Sequence, residues 1–305
     1  MKKFFLRVSH WKSGLPEAAE ELRAGKNRHD VLEKCVRGIE TDPQVESVGY
    51  GAAPNLMGDM ELDAAFMDGD DRRLGCVAGV KSFLPVRIAR LLMEEPEFHA
   101  FLAGEGAELF AREKGLVPEP VLSEAQRVAW KKNVRPLLEN RGGPPLADIV
   151  RELARPRSAE NRDTIVMIAA DGKGLSAASS TPGWAYKFPG RVGDTPVAGA
   201  GFYVDSRFGA AACTHTGEMS MRAASARFIV AQLEKGLAPD AALDAAVRDL
   251  AALKNGVLRA LVLHAVNTKG DAACLAVNAG EQIEYQYWNE DLKAPEARQA
   301  RAVKI

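Results

Sequence analysis

The chain has 305 residues, 47 % of them hydrophobic, with 40 basic and 41 acidic side chains and a net charge of −1. That content is enough to bury a sizeable core in one large domain or two small ones, and the charge balance gives no electrostatic reason to expect nucleic acid or an anionic membrane as a partner. Cys35, Cys76, Cys213 and Cys274 are scattered without zinc-ligand or disulfide-framework spacing, so they read as small buried apolar residues in a reducing compartment.

The first seven residues begin like a secretory leader, but Arg7, Ser9, His10 and Lys12 interrupt the apolar run, and no segment approaches the roughly 20 apolar residues of a membrane-spanning helix. A cytoplasmic location is expected. Residues 3–9 predict a first strand, with Trp11 just past its end. Helices follow over 16–24 and 30–40, the second with Val31, Cys35, Val36 and Ile39 on one face. Short strands over 45–51 and 61–67 flank the turn-rich 53–59, and another strand covers 75–80. Helices are predicted over 86–94, 97–103 and 106–114. Residues 115–162 hold Pro118, Pro120, Pro136, Pro144, Pro145 and Pro156, with a helix over 123–133 and a weaker helical pattern over 146–153. So long a poorly periodic stretch is unusual inside a compact domain.

The pattern then changes abruptly. Polar residues 153–162 lead into Thr164-Ile165-Val166-Met167-Ile168-Ala169-Ala170, a tight turn at 171–174 and a returning strand over 175–180. After a motif-rich block come one helix over 217–234 and another opened by Pro239 and closed by Gly256. Strands over 257–268, 272–278 and 282–288 follow, with turns at 269–271 and 279–280. Strands, paired helices and strands again suit two sheets packed between helical layers, although periodicity does not separate this from other α+β sandwiches.

Thr164 sits where a loop enters a central strand. A threonine hydroxyl is a weak nucleophile until a base stands beside it, and the residue's own α-amine, with a reference pKa of about 7.7 to 8.0, is one solution. In a self-cleaving precursor the Thr164 hydroxyl attacks the Asp163 carbonyl and passes through an ester, which water opens to release the amine. Asp-Thr is also ordinary turn chemistry, so the dipeptide alone decides nothing. Gly199-Ala200-Gly201 lacks the third glycine of a dinucleotide fingerprint, and the five histidines share no ligand spacing.

The surrounding motifs do decide. Asp163-Thr164-Ile165 is followed by Ser179-Ser180-Thr181-Pro182-Gly183-Trp184, Pro189-Gly190-Arg191-Val192-Gly193-Asp194, Gly199-Ala200-Gly201 and Thr214-His215-Thr216-Gly217-Glu218. Earlier come Ser47-Val48-Gly49-Tyr50-Gly51, Glu61 to Gly69, and Gly104-Glu105-Gly106-Ala107. In this order, over nearly the whole chain, they resemble the glycosylasparaginase family of N-terminal nucleophile hydrolases. The resemblance implies a single α+β domain over 1–305, built as a four-layer αββα sandwich. It also implies cleavage into 1–163 and 164–305, with about 115–163 as a mobile tail, and a dimer of cleaved αβ units.

The implied substrate is N4-(β-N-acetylglucosaminyl)-L-asparagine, cleaved without metal or cofactor. Thr164 is the expected nucleophile, oriented by Thr181, with Thr214 on the oxyanion. Arg191 and Asp194 are expected to hold the α-carboxylate and α-ammonium, a task suited to one guanidinium and one carboxylate. Val192, Gly193, His215, Thr216, Gly217 and Trp11 complete the pocket. Three departures stand out: Arg162 where the family has His, His215 where it has Gly, and a Thr164–Thr181 interval one residue short, so that Ser180 and Thr181 are both open to the orienting role. Isoaspartyl peptidase/L-asparaginase is the sister activity, and an uncleaved, non-catalytic binding protein is the alternative from another class.

Overall fold

The computed structural model describes residues 1–8, 12–95, 97–139, 143–153, 163–280 and 282–305. The first half contains β1 (Lys3–Val8), α1 (Leu15–Arg23), α2 (Arg28–Thr41), β2 (Leu62–Asp68), β3 (Leu74–Val80), α3 (Val86–Met93), β4 (Phe101–Ala103) and α4 (Gly104–Glu113). Three helices, α5 (Glu124–Asn133), α6 (Arg135–Glu139) and α7 (Leu146–Leu153), precede β5 (Ile165–Asp171), β6 (Leu175–Thr181), β7 (Phe202–Asp205) and β8 (Gly209–His215). Then come α8 (Gly217–Ala223), α9 (Ser225–Glu234), α10 (Pro239–Leu250), β9 (Leu261–Asn267), β10 (Ala272–Val277), β11 (Glu284–Asn289), β12 (Glu296–Gln299) and β13 (Arg301–Val303).

The strands form an eight-stranded sheet, β12-β11-β1-β5-β6-β2-β3-β4, and a five-stranded sheet, β13-β10-β9-β8-β7. Because side chains alternate along a strand, the assignment of neighbouring residues to different cores reveals the layers. Phe5, Met167, Ala169 and Phe66 pack with residues of α1 to α4, whereas Phe4, Leu6, Val166 and Ile168 pack against Ala210, Ala212 and Val262 of the second sheet. Ala211, Cys213 and Leu263 face away from that interior onto α9 and α10. The order of layers is therefore helix, sheet, sheet, helix. Strands buried on both faces read as continuous apolar runs, which is why 164–170 carries no alternation.

Several expectations needed correction. Residues 45–51 form no strand: Gly49–Gly51 is one turn of 3-10 helix, and a Cβ on Gly49 (φ +65°) would stand 2.1 Å from the Glu40 carbonyl oxygen. Residues 97–103 are not helical, because β3 offers an unpaired edge; Cys76 N–H donates to Ala100 O at 2.8 Å and residues 101–103 pair parallel to 76–78. The helix over 217–234 breaks at Ala224 (φ +47°), where the first N–H groups of α9 turn to the preceding loop, Arg227 N donating to Gly199 O at 2.9 Å. The helix begun at Pro239 ends at Leu250, well before Gly256.

The segment that carries α5, α6 and α7 packs a small core of Leu56, Val134 and Ile149, with Trp130 and Tyr186 partly buried against it. Trp130 Nε1 also donates to Leu56 O at 3.0 Å. Residues 154–162, including Arg162, and Trp11 lie outside the described residues. All four cysteines are buried free thiols. Among the described residues no helix is long and apolar enough to cross a membrane.

Candidate active site

Strand parity places the key threonines. Val166 and Ala212 face the space between the sheets, so Thr164, two residues before Val166, and Thr214, two after Ala212, fall on the same inner faces. In the ladder Ile165 opposes Ser180 and Thr181 opposes Asp63, which sets Thr164, Thr181 and Asp63 in a row at one end of the sheet.

Their hydroxyls are chained together. Thr164 Oγ1 donates to Thr181 Oγ1 at 3.1 Å, and Thr181 Oγ1 accepts a second hydrogen bond from Gly183 N–H at 3.0 Å while donating its own proton, in a very short contact, to the Asp163 carbonyl oxygen. One donor and two acceptor positions fill the capacity of a hydroxyl. Ser180 has the opposite parity, shared with Ala178 in the helix-side core. It neighbours the buried Glu40 carboxyl, although no hydrogen bond closes between them. The two residues open to the orienting role are thus separated by face, and only Thr181 reaches Thr164.

Arg191 follows β6 in a long loop. Its Nε and Nη2 donate to the Glu218 carboxylate at 2.9 to 3.1 Å, and its guanidinium stacks 4.6 Å from the Trp184 ring centroid. The Nη1 edge turns toward Gly183 and Gly193, where added Cβ atoms would lie 3.2 and 2.9 Å away. Asp194 is buried and accepts from Ser220 Oγ at 2.5 Å. Burial pushes its pKa up to about 6, with Ser220 and Arg191 pulling it down. Gly217 must be glycine-sized, since its Cβ would sit 2.5 Å from Asp194 Oδ1. The half-buried Asp163 is likewise raised by desolvation, to about 7, against the pull of Arg191.

Thr214 is buried, and its Oγ1 lies 3.1 Å from His215 Nδ1. His215 adopts φ +83°, a left-handed backbone that glycine takes freely and histidine does not. Its carbonyl accepts Trp184 Nε1–H at 3.4 Å, tying this turn to the Arg191 loop. Thr216 Oγ1 donates to Ala260 O at 2.7 Å, while Val192 is exposed beside Arg191.

The sequence reading missed Glu218 as the partner of Arg191, Ser220 as the partner of Asp194, and the buried Lys187 and Asp63. Glu218 stood at the end of a quoted motif, but nothing in its spacing showed that it would meet Arg191, 27 positions earlier. Lys187 reads as an ordinary loop lysine.

The family model described as "Asparaginase" matches residues 7–292. The N(4)-(Beta-N-acetylglucosaminyl)-L-asparaginase of Elizabethkingia miricola is 37% identical over 81% of this chain and 70% of its own length. The isoaspartyl peptidase/L-asparaginase of Rattus norvegicus is 34% identical over 85% of this chain and 74% of its own, and the plant-type L-asparaginase of Pyrococcus furiosus 33% over 91% and 88%. A match of this extent, on a two-sheet sandwich with helices outside both sheets, shows that the chain belongs to the asparaginase family of N-terminal nucleophile hydrolases and is an asparaginase-type amidohydrolase.

Proposed function

We propose that the protein cuts its own Asp163–Thr164 bond and that Thr164, once freed, hydrolyses the side-chain amide of β-aspartyl compounds. The observation that carries this reading is the hydroxyl chain Thr164–Thr181–Asp163 O. The Thr164 hydroxyl attacks the Asp163 carbonyl carbon. Thr181 already donates to the oxygen on which negative charge develops, the placement that oxyanion stabilisation requires. The peptide nitrogen leaves with the hydroxyl proton, an ester joins Asp163 to Thr164 Oγ1, and water opens it to fragments 1–163 and 164–305. The segment from about 115 to 163 then ends freely at its C-terminus.

In turnover the Thr164 α-amine takes the hydroxyl proton and the oxygen attacks the substrate amide carbon. Thr214 and a neighbouring backbone N–H stabilise the oxyanion. Arg191 receives the substrate α-carboxylate on its Nη1 edge and Asp194 the α-ammonium. Val192, Gly193, His215, Thr216 and Gly217 bound the pocket. The amine leaves, and water hydrolyses the aspartyl ester.

N4-(β-N-acetylglucosaminyl)-L-asparagine is the first substrate to try. Isoaspartyl dipeptides and L-asparagine are the second reading, favoured by the bulk that His215 adds beside Thr214 and by relatives of that activity at 34% identity. The test is the intact mass of fresh and incubated protein, followed by all three substrates. Two fragments divided at Thr164 support the reading, and the hydrolysed substrate names the leaving group. A chain that stays whole at 32.9 kDa sinks it in favour of an uncleaved binding protein.

A further inference from the structure

The run Glu61 to Gly69 takes no part in the chemistry above, yet its first residues grip the loop that carries Arg191. Lys187 Nζ donates to Glu61 O at 2.8 Å and stands 4.0 Å from Asp63 Oδ2, the two side chains being 2% and 0% exposed. Lys187 O accepts Leu56 N–H at 2.9 Å, and Gly190 N–H bonds both oxygens of the Glu61 carboxylate, at 3.2 and 3.0 Å. The loop is therefore held at two points just before Arg191. Asp63 Oδ1 accepts Gly79 N–H at 2.9 Å, while Oδ2 has no hydrogen-bond partner among the described residues. The Lys187 ammonium is its compensation, as a buried carboxylate requires.

Lys187 also bounds the position of the guanidinium. A Cβ on Gly183 would meet Lys187 Nζ at 3.3 Å and Arg191 Nη1 at 3.2 Å, so both cations flank one point, next to the N–H that bonds Thr181. Two like charges that close repel each other. Asp63 balances one and Glu218 the other. Leu56, Glu61 and Asp63 all precede the Asp163–Thr164 step, and Lys187, Gly190 and Arg191 all follow it.

We infer that Lys187 is a positioning residue for Arg191, kept charged by Asp63 and tethered by Glu61, so that residues before the cleavage point set the carboxylate clamp of the fragment after it. This rests on the β-aspartyl reading of the site. Lys187→Met and the double variant Asp63→Asn/Lys187→Met are compared with the wild type by intact mass, thermal melting, steady-state kinetics and calorimetric binding of L-aspartate. Both variants should be cut in two. KM and the L-aspartate Kd should rise about tenfold or more with kcat within about threefold, the signature of lost substrate binding rather than lost chemistry. In the double variant no buried charge is left unpaired, so its melting temperature should return toward wild type while KM and Kd stay high. If KM and Kd recover together with melting, Lys187 only balances charge and the inference is overturned. A wild type that binds L-aspartate without hydrolysing any β-aspartyl amide overturns the reaction but leaves the clamp open to the same Kd comparison, and a wild type that binds none overturns both.

Discussion

Glu40 offers a measurement of how strongly the layer behind the site resents charge. The side chain is fully buried in the last turn of α2; Oε1 accepts Val86 N–H at 3.1 Å and Oε2 has no hydrogen-bond partner among the described residues. Burial pushes its pKa up to about 7, against the smaller downward pulls of Ser180 and Val86. An unfolded glutamate titrates near about 4.3, so between roughly pH 4.5 and 7 the native protein keeps a proton that the unfolded chain has lost. The folded pKa is the higher one. The stability contributed by the neutral acid is therefore fully present below the unfolded pKa and lost as pH rises through about 7; at about 1.36 kcal/mol per pH unit, the loss is about 4 kcal/mol in all, about 3 of it above pH 5. Glu40→Gln keeps the acceptor for Val86, offers an N–H to Ser180 and cannot ionise. Urea unfolding of both forms should be followed from about pH 5 to about pH 8 in a Thr164→Ala background, where the chain remains whole. Asp163 and Asp194 are raised with the same sign but cancel in the difference. The advantage of the variant over wild type should grow by about 3 kcal/mol from the acid end to the alkaline end. A difference that does not change with pH would refute the argument.

Asp194 must ionise to hold an ammonium, and its pKa lies at about 6; log kcat/KM should therefore climb steeply below pH 6 and less steeply up to the α-amine pKa near about 8. Asp194→Asn should abolish the steeper limb and raise KM, and an unchanged profile would remove Asp194 from the site. Thr181→Val leaves Gly183 N–H and the Asp163 carbonyl without their partner and should slow self-cleavage by about 10²–10³; equal fragment appearance in a mass time course would remove Thr181 from the mechanism. Gly49→Ala forces a Cβ to within 2.1 Å of Glu40 O at φ +65° and should cost about 2–3 kcal/mol or more. Gly38→Ala, which meets nothing within 4 Å inside α2, should gain about 0.5–1 kcal/mol. Urea midpoints of the two variants that move together would contradict the steric account.

The elements that were legible from sequence are those whose cause is local. Ser123 accepts Gln126 N–H at 3.3 Å as the cap of α5, and the apolar run ahead of Asp171 became β5 because both faces of that strand are covered. Where the cause is distant, sequence was silent. Residues 101–103 became a strand only because β3 needed a neighbour, and Ala224 turned left-handed so that α9 could bond the loop at 199–200. In the candidate site the motif residues were legible as residue types, but not their partners. That Thr181 and not Ser180 meets Thr164 is a matter of which face each occupies, and the burial of Lys187 depends on β2 lying across its path.

The strand order has a consequence for what can be undone. Divided at Thr164, the large sheet alternates in ownership: β1, from the first fragment, lies between β11 and β5 of the second, and β2 lies against β6. The second fragment keeps the five-stranded sheet whole and the first keeps β2, β3 and β4 side by side, but separation strips β1 of both its neighbours and β2 of β6. An intact chain brings these strands together as parts of one molecule, whereas two separated pieces must find each other at their bulk concentration while exposing unpaired apolar strands. The cut would act as a ratchet. The uncleaved precursor should unfold and refold, but the mature enzyme, once melted, should aggregate, and its durability would then be set by how slowly it first opens.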